Sequence, residues 1–162
     1  MFQAIFENLL HFEYLGVFLI SFIGSSTIFL PLPAAAFVFL AGGFLNPVVL
    51  GISAGLGAGL GELTGYGIGF GGHKIIFKKE VGRRMKKVID VFKKKGTFYA
   101  IILLAATPLP DDILGISAGF LKYDLKKFFL ASLIGKIILH LIIAYGGFFG
   151  INWIKSIFSK GL

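Results

Sequence analysis

The fold is decided by residues 31–72, which read PLPAAAFVFLAGGFLNPVVLGISAGLGAGLGELTGYGIGFGG. From residue 34 onward, this stretch carries a single charged side chain, that of Glu62. It is too long for one membrane span, and Asn46-Pro47 is a natural break in it. As a helix, residues 34–45 would rise only about 18 Å, whereas the hydrocarbon core of a bilayer is about 30 Å thick. The pattern therefore predicts a re-entrant half-helix at 34–45, followed by a crossing helix at 48–70.

The composition excludes an ordinary soluble domain. Of the 162 residues, 56% are hydrophobic and 15% are charged, and the mean hydropathy is +0.88. Soluble domains are nearer half apolar and a quarter charged. The chain has no cysteine, so neither a disulfide framework nor a thiolate metal site can form. We predict an all-α integral membrane protein that forms one membrane domain over residues 1–162.

An internal repeat divides this domain. Pro31-Leu32-Pro33 recurs 77 positions later as Pro108-Leu109-Pro110, and Ala41-Gly42 recurs at the same spacing as Ala118-Gly119. Short segments interrupted by proline at matching positions are typical of transporter sites. We predict a helical bundle with two opposed re-entrant helix hairpins in a pseudo-symmetric repeat, broken at Pro31, Pro33, Pro108 and Pro110. The halves cover about 14–72 and 97–151, and an odd number of crossings between them would invert one relative to the other.

The lengths of the remaining apolar runs predict which of them cross the bilayer. The run at 127–151 is long enough to cross a bilayer, and the run at 14–30 is near the lower limit for a span. The remaining predictions are an amphipathic interfacial helix at 2–12, short apolar segments at 98–107 and 113–121, and an interfacial anchor at 152–162.

The basic residues are concentrated in one segment. Ten of the 16 lysines and arginines lie between residues 74 and 95, where apolar residues at helical spacing predict a second amphipathic helix, at about 73–96. By the positive-inside rule, this segment is cytoplasmic. A basic amphipathic helix settles on anionic lipid headgroups, and a solvated topology signal explains the charge equally well. Because the tract lies beside membrane spans, we expect no nucleic acid as a partner.

Five ionisable side chains in or beside the apolar segments are candidates for function, since such groups cost about 2.5–3.5 kcal/mol each on insertion scales. Glu62 and Lys136 either form a structural ion pair between two packed spans or take part in transport as well. Asp111 and Asp112 follow the second proline break, where they either cap a helix or form a proton or cation site. His140 either relays protons or only packs.

Signatures of an enzyme are lacking. The chain has no His-Glu-x-x-His pair, no P-loop and no cysteine nucleophile. We therefore expect neither catalysis nor a bound cofactor or metal ion.

Two stretches resemble the DedA family, also called the VTT-domain or SNARE-associated Golgi protein family. Residues 31–69 resemble its proline-containing re-entrant segment, Ala-Gly and glycine-rich helix with an acid. Residues 107–135, TPLPDDILGISAGFLKYDLKKFFLASLIG, resemble its second hairpin, Ala-Gly and the Phe before a span. The resemblance implies two opposed re-entrant hairpins that move lipids between leaflets. It maps the hairpin acids onto Asp111 and Asp112, and the glycine-helix acid onto Glu62.

The family's members are associated with undecaprenyl phosphate recycling in bacteria and with phospholipid scrambling in eukaryotes, some in dependence on proton-motive force. This chain departs from many bacterial members in two places. It has Ser25, Ser26 and Ala34 to Ala36 where they carry an acid in the first hairpin. It has Ala105, Ala106 and Thr107 where they carry arginine before the second. The missing arginine puts polyprenyl phosphate in doubt as the substrate, with Lys136 or the cluster of Lys122, Lys126 and Lys127 as hypothetical substitutes.

The functional hypothesis is therefore a multi-pass lipid translocase of the plasma membrane, with a phospholipid or a polyprenyl-phosphate lipid as substrate. Membrane lipids are the expected partners, with anionic headgroups at 74–95. Two alternatives stay open: a secondary transporter of ions or small solutes, and a scaffold whose polar residues only join helices. The glycine ridges could pack within one subunit or between the subunits of a homo-oligomer.

Overall fold

The computed structural model describes residues 2–26, 34–76, 96–107 and 112–160, with side chains for 12–26, 34–72, 96–107 and 113–156. All regular structure in these ranges is helical. The helices are α1 (Phe2–Ser26), α2 (Ala34–Gly42), α3 (Pro47–Ile76), α4 (Thr97–Ala105), α5 (Asp112–Phe120) and α6 (Leu125–Lys160). The prediction of an all-helical protein is therefore confirmed for the described part of the chain.

Two of these helices, α3 and α6, are long and apolar enough to cross a bilayer. Their membrane-capable parts are Pro47–Gly72 and Leu125–Ser156. At 1.5 Å per residue these parts rise about 39 and 48 Å, more than the hydrocarbon thickness of about 30 Å. The predicted crossing helices at 48–70 and 127–151 are confirmed as helices of sufficient length.

Helices α2, α4 and α5 are short, with nine residues each. Each rises only about 13 Å, less than half the hydrocarbon thickness. The boundary between α2 and α3 lies where the sequence predicts it. Asn46 Oδ1 accepts hydrogen bonds from the backbone N–H groups of Val48 at 3.0 Å and Val49 at 3.3 Å. Asn46 is thus the N-cap of α3, and Pro47 takes the first helical position, where its missing N–H costs nothing.

The N-terminal segment differs from the prediction. Separate elements at 2–12 and 14–30 are expected from the sequence, but α1 runs continuously from Phe2 to Ser26. No glycine or proline occurs before Gly16, so nothing in the local chain breaks the helix where its polar residues end.

Several predictions fall on residues that lie outside the described ranges. These are the four prolines of the predicted breaks, Asp111, most of the basic segment, and the side chains of Asp112 and of residues 2–11.

Helices α3 and α6 pack against each other in antiparallel directions. Added Cβ atoms on Gly51, Gly55 and Gly59 would meet, in that order, Leu141, Ile137 and Leu133. The residue numbers rise on one helix as they fall on the other, which fixes the direction. Small residues at this spacing let helix backbones approach closely in lipid. This glycine ridge therefore packs within the subunit.

Helix α1 packs on a second face of α3 and runs parallel to it. A Cβ on Gly57 would collide with the Phe18 carbonyl oxygen, and one on Gly61 would lie 2.7 Å from Ser25 Cβ. Hydrogen bonds join the same pair of helices, from Ser53 Oγ to the Tyr14 carbonyl at 2.7 Å and from Thr64 Oγ1 to the Ser26 carbonyl at 3.2 Å. Helix α1 thus ends beside the middle of α3.

The short helices α2 and α5 each pack on the long helix that belongs to the other half of the chain. Helix α2 packs mainly on α6, and α5 packs mainly on α3. Glycine permits backbone contact at four positions, where a Cβ would collide with a carbonyl oxygen of the facing helix: Gly42 with Ala144, Gly147 with Phe39, Gly119 with Tyr66, and Gly69 with Ile116. Helices α2 and α5 are therefore each held against the long helix of the other half of the chain.

Gly55→Ala should destabilise the contact between α3 and α6, whereas Gly67→Ala, in the same helix, should not. A Cβ at Gly55 would lie 2.5 Å from the Cα of Ile137, while one at Gly67 meets nothing within 4 Å. Overpacking of this kind costs about 1–3 kcal/mol, so Gly55→Ala should unfold at a lower temperature in detergent. Gly67→Ala should match or exceed the wild type, since alanine favours helix. Equal unfolding temperatures for the two variants would contradict this packing.

Candidate functional site: a buried charge pair between the two long helices

The candidate site lies on buried ridges of the long helices. On α3, every fourth residue is buried, and on α6 the same spacing gives a second buried ridge. A helix places residues four apart on one face, so each ridge is a single stripe directed into the bundle. The α3 ridge is Leu50, Ala54, Ala58, Glu62 and Tyr66, and the α6 ridge is Phe128, Ser132, Lys136, His140 and Ala144.

Glu62 and Lys136 form an ion pair across the two ridges. Lys136 Nζ lies 3.0 Å from Glu62 Oε1, and the two side chains are only 5% and 4% exposed. The ion-pair interpretation of these residues is thereby confirmed, while a role in transport stays a prediction. Taking two charges out of water costs several kcal/mol each, which their attraction repays only when the geometry is good. In lipid, apolar side chains give little force for helix association, so a polar contact of this kind joins the two helices where a hydrophobic pair would not.

The pair is also close to α5. A Cβ at Gly115 would lie 3.4 Å from Glu62 Oε2 and 3.2 Å from the Glu62 carbonyl oxygen. One carboxylate oxygen of Glu62 therefore faces Lys136 while the other is directed towards the backbone of α5. Asp112 is the first residue of α5, one turn before Gly115, so the backbone brings this helix N-terminus near Glu62. The side chain of Asp112 and the whole of Asp111 lie outside the described residues.

His140 lies one turn beyond Lys136 on α6 and is 5% exposed. Its Nδ1 is 2.8 Å from the Lys136 carbonyl oxygen. Because a carbonyl oxygen can only accept a hydrogen bond, Nδ1 carries the proton in this contact. The bond fixes the ring orientation in the bundle, which both the packing and the proton-relay interpretations require.

Ser132 and Ser21 are polar groups that the sequence did not single out. Both are buried, and their hydroxyls have no hydrogen-bond partner in the described part of the chain. An unpaired buried hydroxyl costs about 1–3 kcal/mol. Ser132 lies one turn before Lys136, so three consecutive turns of α6 carry a buried polar side chain. The four-residue spacing from Lys136 is the signal that could have identified Ser132.

The pentapeptide Gly-Ile-Ser-Ala-Gly occurs twice, at 51–55 and 115–119, and fits the Gly-x-Ser-x-Gly pattern of a hydrolase. Neither copy forms a nucleophile elbow, which requires a strand-to-helix turn. The first lies within α3 and the second within α5. Ser53 donates its hydrogen bond to the Tyr14 carbonyl, and Ser117 is fully buried. In the described ranges, no group of three or more His, Asp or Glu side chains could hold a metal ion.

Comparison with protein families decides the identity. The VTT domain matches residues 32–149, which is more than half of the chain. The chain belongs to the VTT-domain family. This is the domain of the DedA and SNARE-associated proteins, so the resemblance found in the sequence is confirmed. Comparison with curated proteins and with solved structures gave no significant match.

The candidate site lies within the part of the chain that matches the VTT domain. The match includes α2 to α5 and most of α6, so all five candidate residues fall within it. The family is membrane-associated, and the two long apolar helices fit a chain that lies in a bilayer.

Removing one member of the buried pair should destabilise the protein more than removing both. Glu62→Gln and Lys136→Gln should each lower the free energy of unfolding by about 3–5 kcal/mol, because each leaves an uncompensated buried charge. The double variant should be more stable than the sum of the two effects predicts. Unfolding in detergent measures this, with Lys126→Gln, an exposed lysine near the start of α6, as the control. Strictly additive effects would show that the pair is not coupled.

Proposed function

We propose that this VTT-domain protein moves lipids between the leaflets of the plasma membrane. The observation that carries the proposal is the ion pair of Glu62 and Lys136, buried between two membrane-capable helices with the backbone of α5 against it. Ionisable groups at membrane depth are expensive and are most often retained for function. A pair placed there offers a lipid headgroup both signs of charge in the interior of the bundle.

Internal symmetry of the backbone contacts supports the proposed architecture of two opposed hairpins. The contacts of Gly42 with Ala144 and of Gly147 with Phe39 recur, 77 or 78 positions away, as those of Gly119 with Tyr66 and of Gly69 with Ile116. The long helices of the two halves are antiparallel. We therefore propose that the halves are inverted repeats related by an axis in the membrane plane, an arrangement that many transporters use.

The lengths of the elements support hairpins that end within the membrane. Ser26 lies beside Thr64, about 26 Å along α3, and Ala105 lies beside Gly135, about 15 Å along α6. Helix α2 then returns to the start of α3, where the Asn46 N–H donates to the Tyr14 hydroxyl at 3.1 Å. In the proposed mechanism the headgroup crosses at the Pro-Leu-Pro breaks while the acyl chains remain in lipid.

The acids have assigned roles in this mechanism. Glu62 orients the headgroup with Lys136, and Asp111 and Asp112 bind a coupling proton or cation near the N-terminus of α5. Adjacent carboxylates repel each other, which favours protonation of one of them. The basic segment at 74–95 begins in the last turn of α3, and we place it on the anionic cytoplasmic surface.

The double variant Asp111→Asn/Asp112→Asn should lose lipid exchange while it keeps its fold. The assay is leaflet exchange of fluorescent phospholipid in proteoliposomes, with and without a pH gradient. The matched control is Asp124→Asn, because Asp124 is an exposed acid outside the proposed site that accepts a hydrogen bond from the Lys127 N–H at 2.8 Å. Asparagine retains this capping role. Exchange at the wild-type rate in the double variant would refute the assignment of these acids.

The same assay separates the alternatives. A secondary transporter of ions or small solutes would show no lipid exchange but a flux of protons or sodium that the double variant loses. The scaffold alternative has support in the ion pair itself, which joins α3 to α6. A scaffold would show no flux of either kind, and neutralising its acids would change stability or the recovery of partners.

A further inference from the structure

An apolar groove lies between α1 and α2, away from the charge pair. It has a volume of about 370 Å³, within the range of ligand pockets in proteins. Val17 forms part of its buried wall, while Phe37 and Phe44 line it and remain 46% and 74% exposed. Gly16 also lines the groove, and a Cβ added there would meet nothing within 4 Å. The space next to Gly16 therefore belongs to the groove.

One end of the groove carries opposite charges. Glu13 lines it and is exposed. Lys155 Nζ lies 4.4 Å from the centroid of the Phe44 ring and donates to the Gly43 carbonyl at 3.3 Å. Both groups are at the level of the turn between α2 and α3, because the Tyr14 hydroxyl bonds the Asn46 N–H in that turn. Neither side chain forms an ion pair with the residues that the structure describes.

The surroundings of this end fit a membrane–water boundary. Trp153 is 67% exposed two residues before Lys155, and tryptophan and lysine near the end of a span are typical of the interface. Below this level, the exposed face of α1 and α2 is apolar. A ligand of the groove thus has an apolar body that extends along the helices and a polar head with both signs of charge.

We propose that the groove binds one zwitterionic phospholipid. Its acyl chain lies along Phe37 and Phe44, its phosphate lies at Lys155, and its ammonium group lies at Glu13. An acyl chain gains little by leaving bulk lipid for an apolar wall, because lipid tails are as apolar as the side chains. The headgroup charges therefore determine which lipid binds, and the groove determines where the chain lies.

This site goes beyond the proposed translocation and does not depend on it. Binding at the groove is an equilibrium property of the outer face of α1 and α2, whereas translocation is assigned to the interior around Glu62. Loss of lipid exchange in the Asp111 and Asp112 variant leaves the groove unaffected. If the groove binds no phospholipid, the expected result of the leaflet-exchange assay is unchanged.

The test is photolabelling of the full-length protein in vesicles with phosphatidylcholine or phosphatidylglycerol that carries a diazirine at the end of one acyl chain. In the wild type, adducts on the peptides of α1 and α2 should be about tenfold more abundant with the zwitterionic probe, which corresponds to about 1.4 kcal/mol. Gly16→Phe should remove these adducts, because the ring fills the groove. The matched control, Gly67→Phe, adds the same side chain at an equally open glycine outside the groove and should retain them.

Charge variants test the headgroup contacts without altering the groove. Glu13→Gln should make the two probes label equally, and Lys155→Gln should weaken labelling by both. Thermal unfolding of each variant establishes that it is folded. The proposal is overturned if Gly16→Phe retains the adducts or if the wild type does not discriminate between the probes.

Discussion

The antiparallel contact between α3 and α6 is the constraint on which the rest of the structure depends. Three glycines one turn apart bring the two backbones together, and this closeness lets a glutamate and a lysine meet at 3.0 Å in the interior. With a larger residue at any of these positions the helices would separate. In lipid there is little hydrophobic force to pull them back, because the solvent is as apolar as the side chains. The ion pair of Glu62 and Lys136 therefore depends on the close approach of the α3 and α6 backbones.

This contact also explains how the short helices are held. A helix of nine residues cannot cross a bilayer and is marginal in isolation. Helices α2 and α5 persist because each lies against a long helix of the other half, at points where glycine allows its backbone to touch a carbonyl group. Each half of the chain thus supplies part of the support for the other, and neither is complete alone. The same crossing brings Gly115 of α5 against Glu62.

Local signals in the sequence were enough to predict the crossing helices, the short helices and the break at Asn46, since run length, proline and N-cap chemistry act over a few residues. The pairing of Glu62 with Lys136 was also predictable, because two opposite charges in apolar helices have few other partners. The packing of α2 on α6 and of α5 on α3 could not be predicted, since it depends on contacts between distant segments. The continuity of α1 was missed because a change from amphipathic to apolar sequence does not end a helix. Ser132 was missed because serine is common in membrane helices and carries no charge.

The direction of the ion pair separates the proposed translocation site from a simple connection between helices. If the pair served packing alone, its direction would be irrelevant, and either residue could occupy either helix. In the proposed mechanism its direction matters, because Glu62 presents its second carboxylate oxygen towards α5. The sequence supports this orientation only through the family resemblance, and the structure supports it through the approach of Gly115.

The most direct test is the exchanged pair, Glu62→Lys/Lys136→Glu, compared with the single variant Glu62→Lys in the same proteoliposomes. The account predicts that the exchange restores the unfolding temperature lost in the single variant, because the two charges are paired again, while lipid exchange between leaflets stays abolished. Wild-type lipid exchange by the exchanged pair would show that these charges only join the helices, and would contradict the central claim.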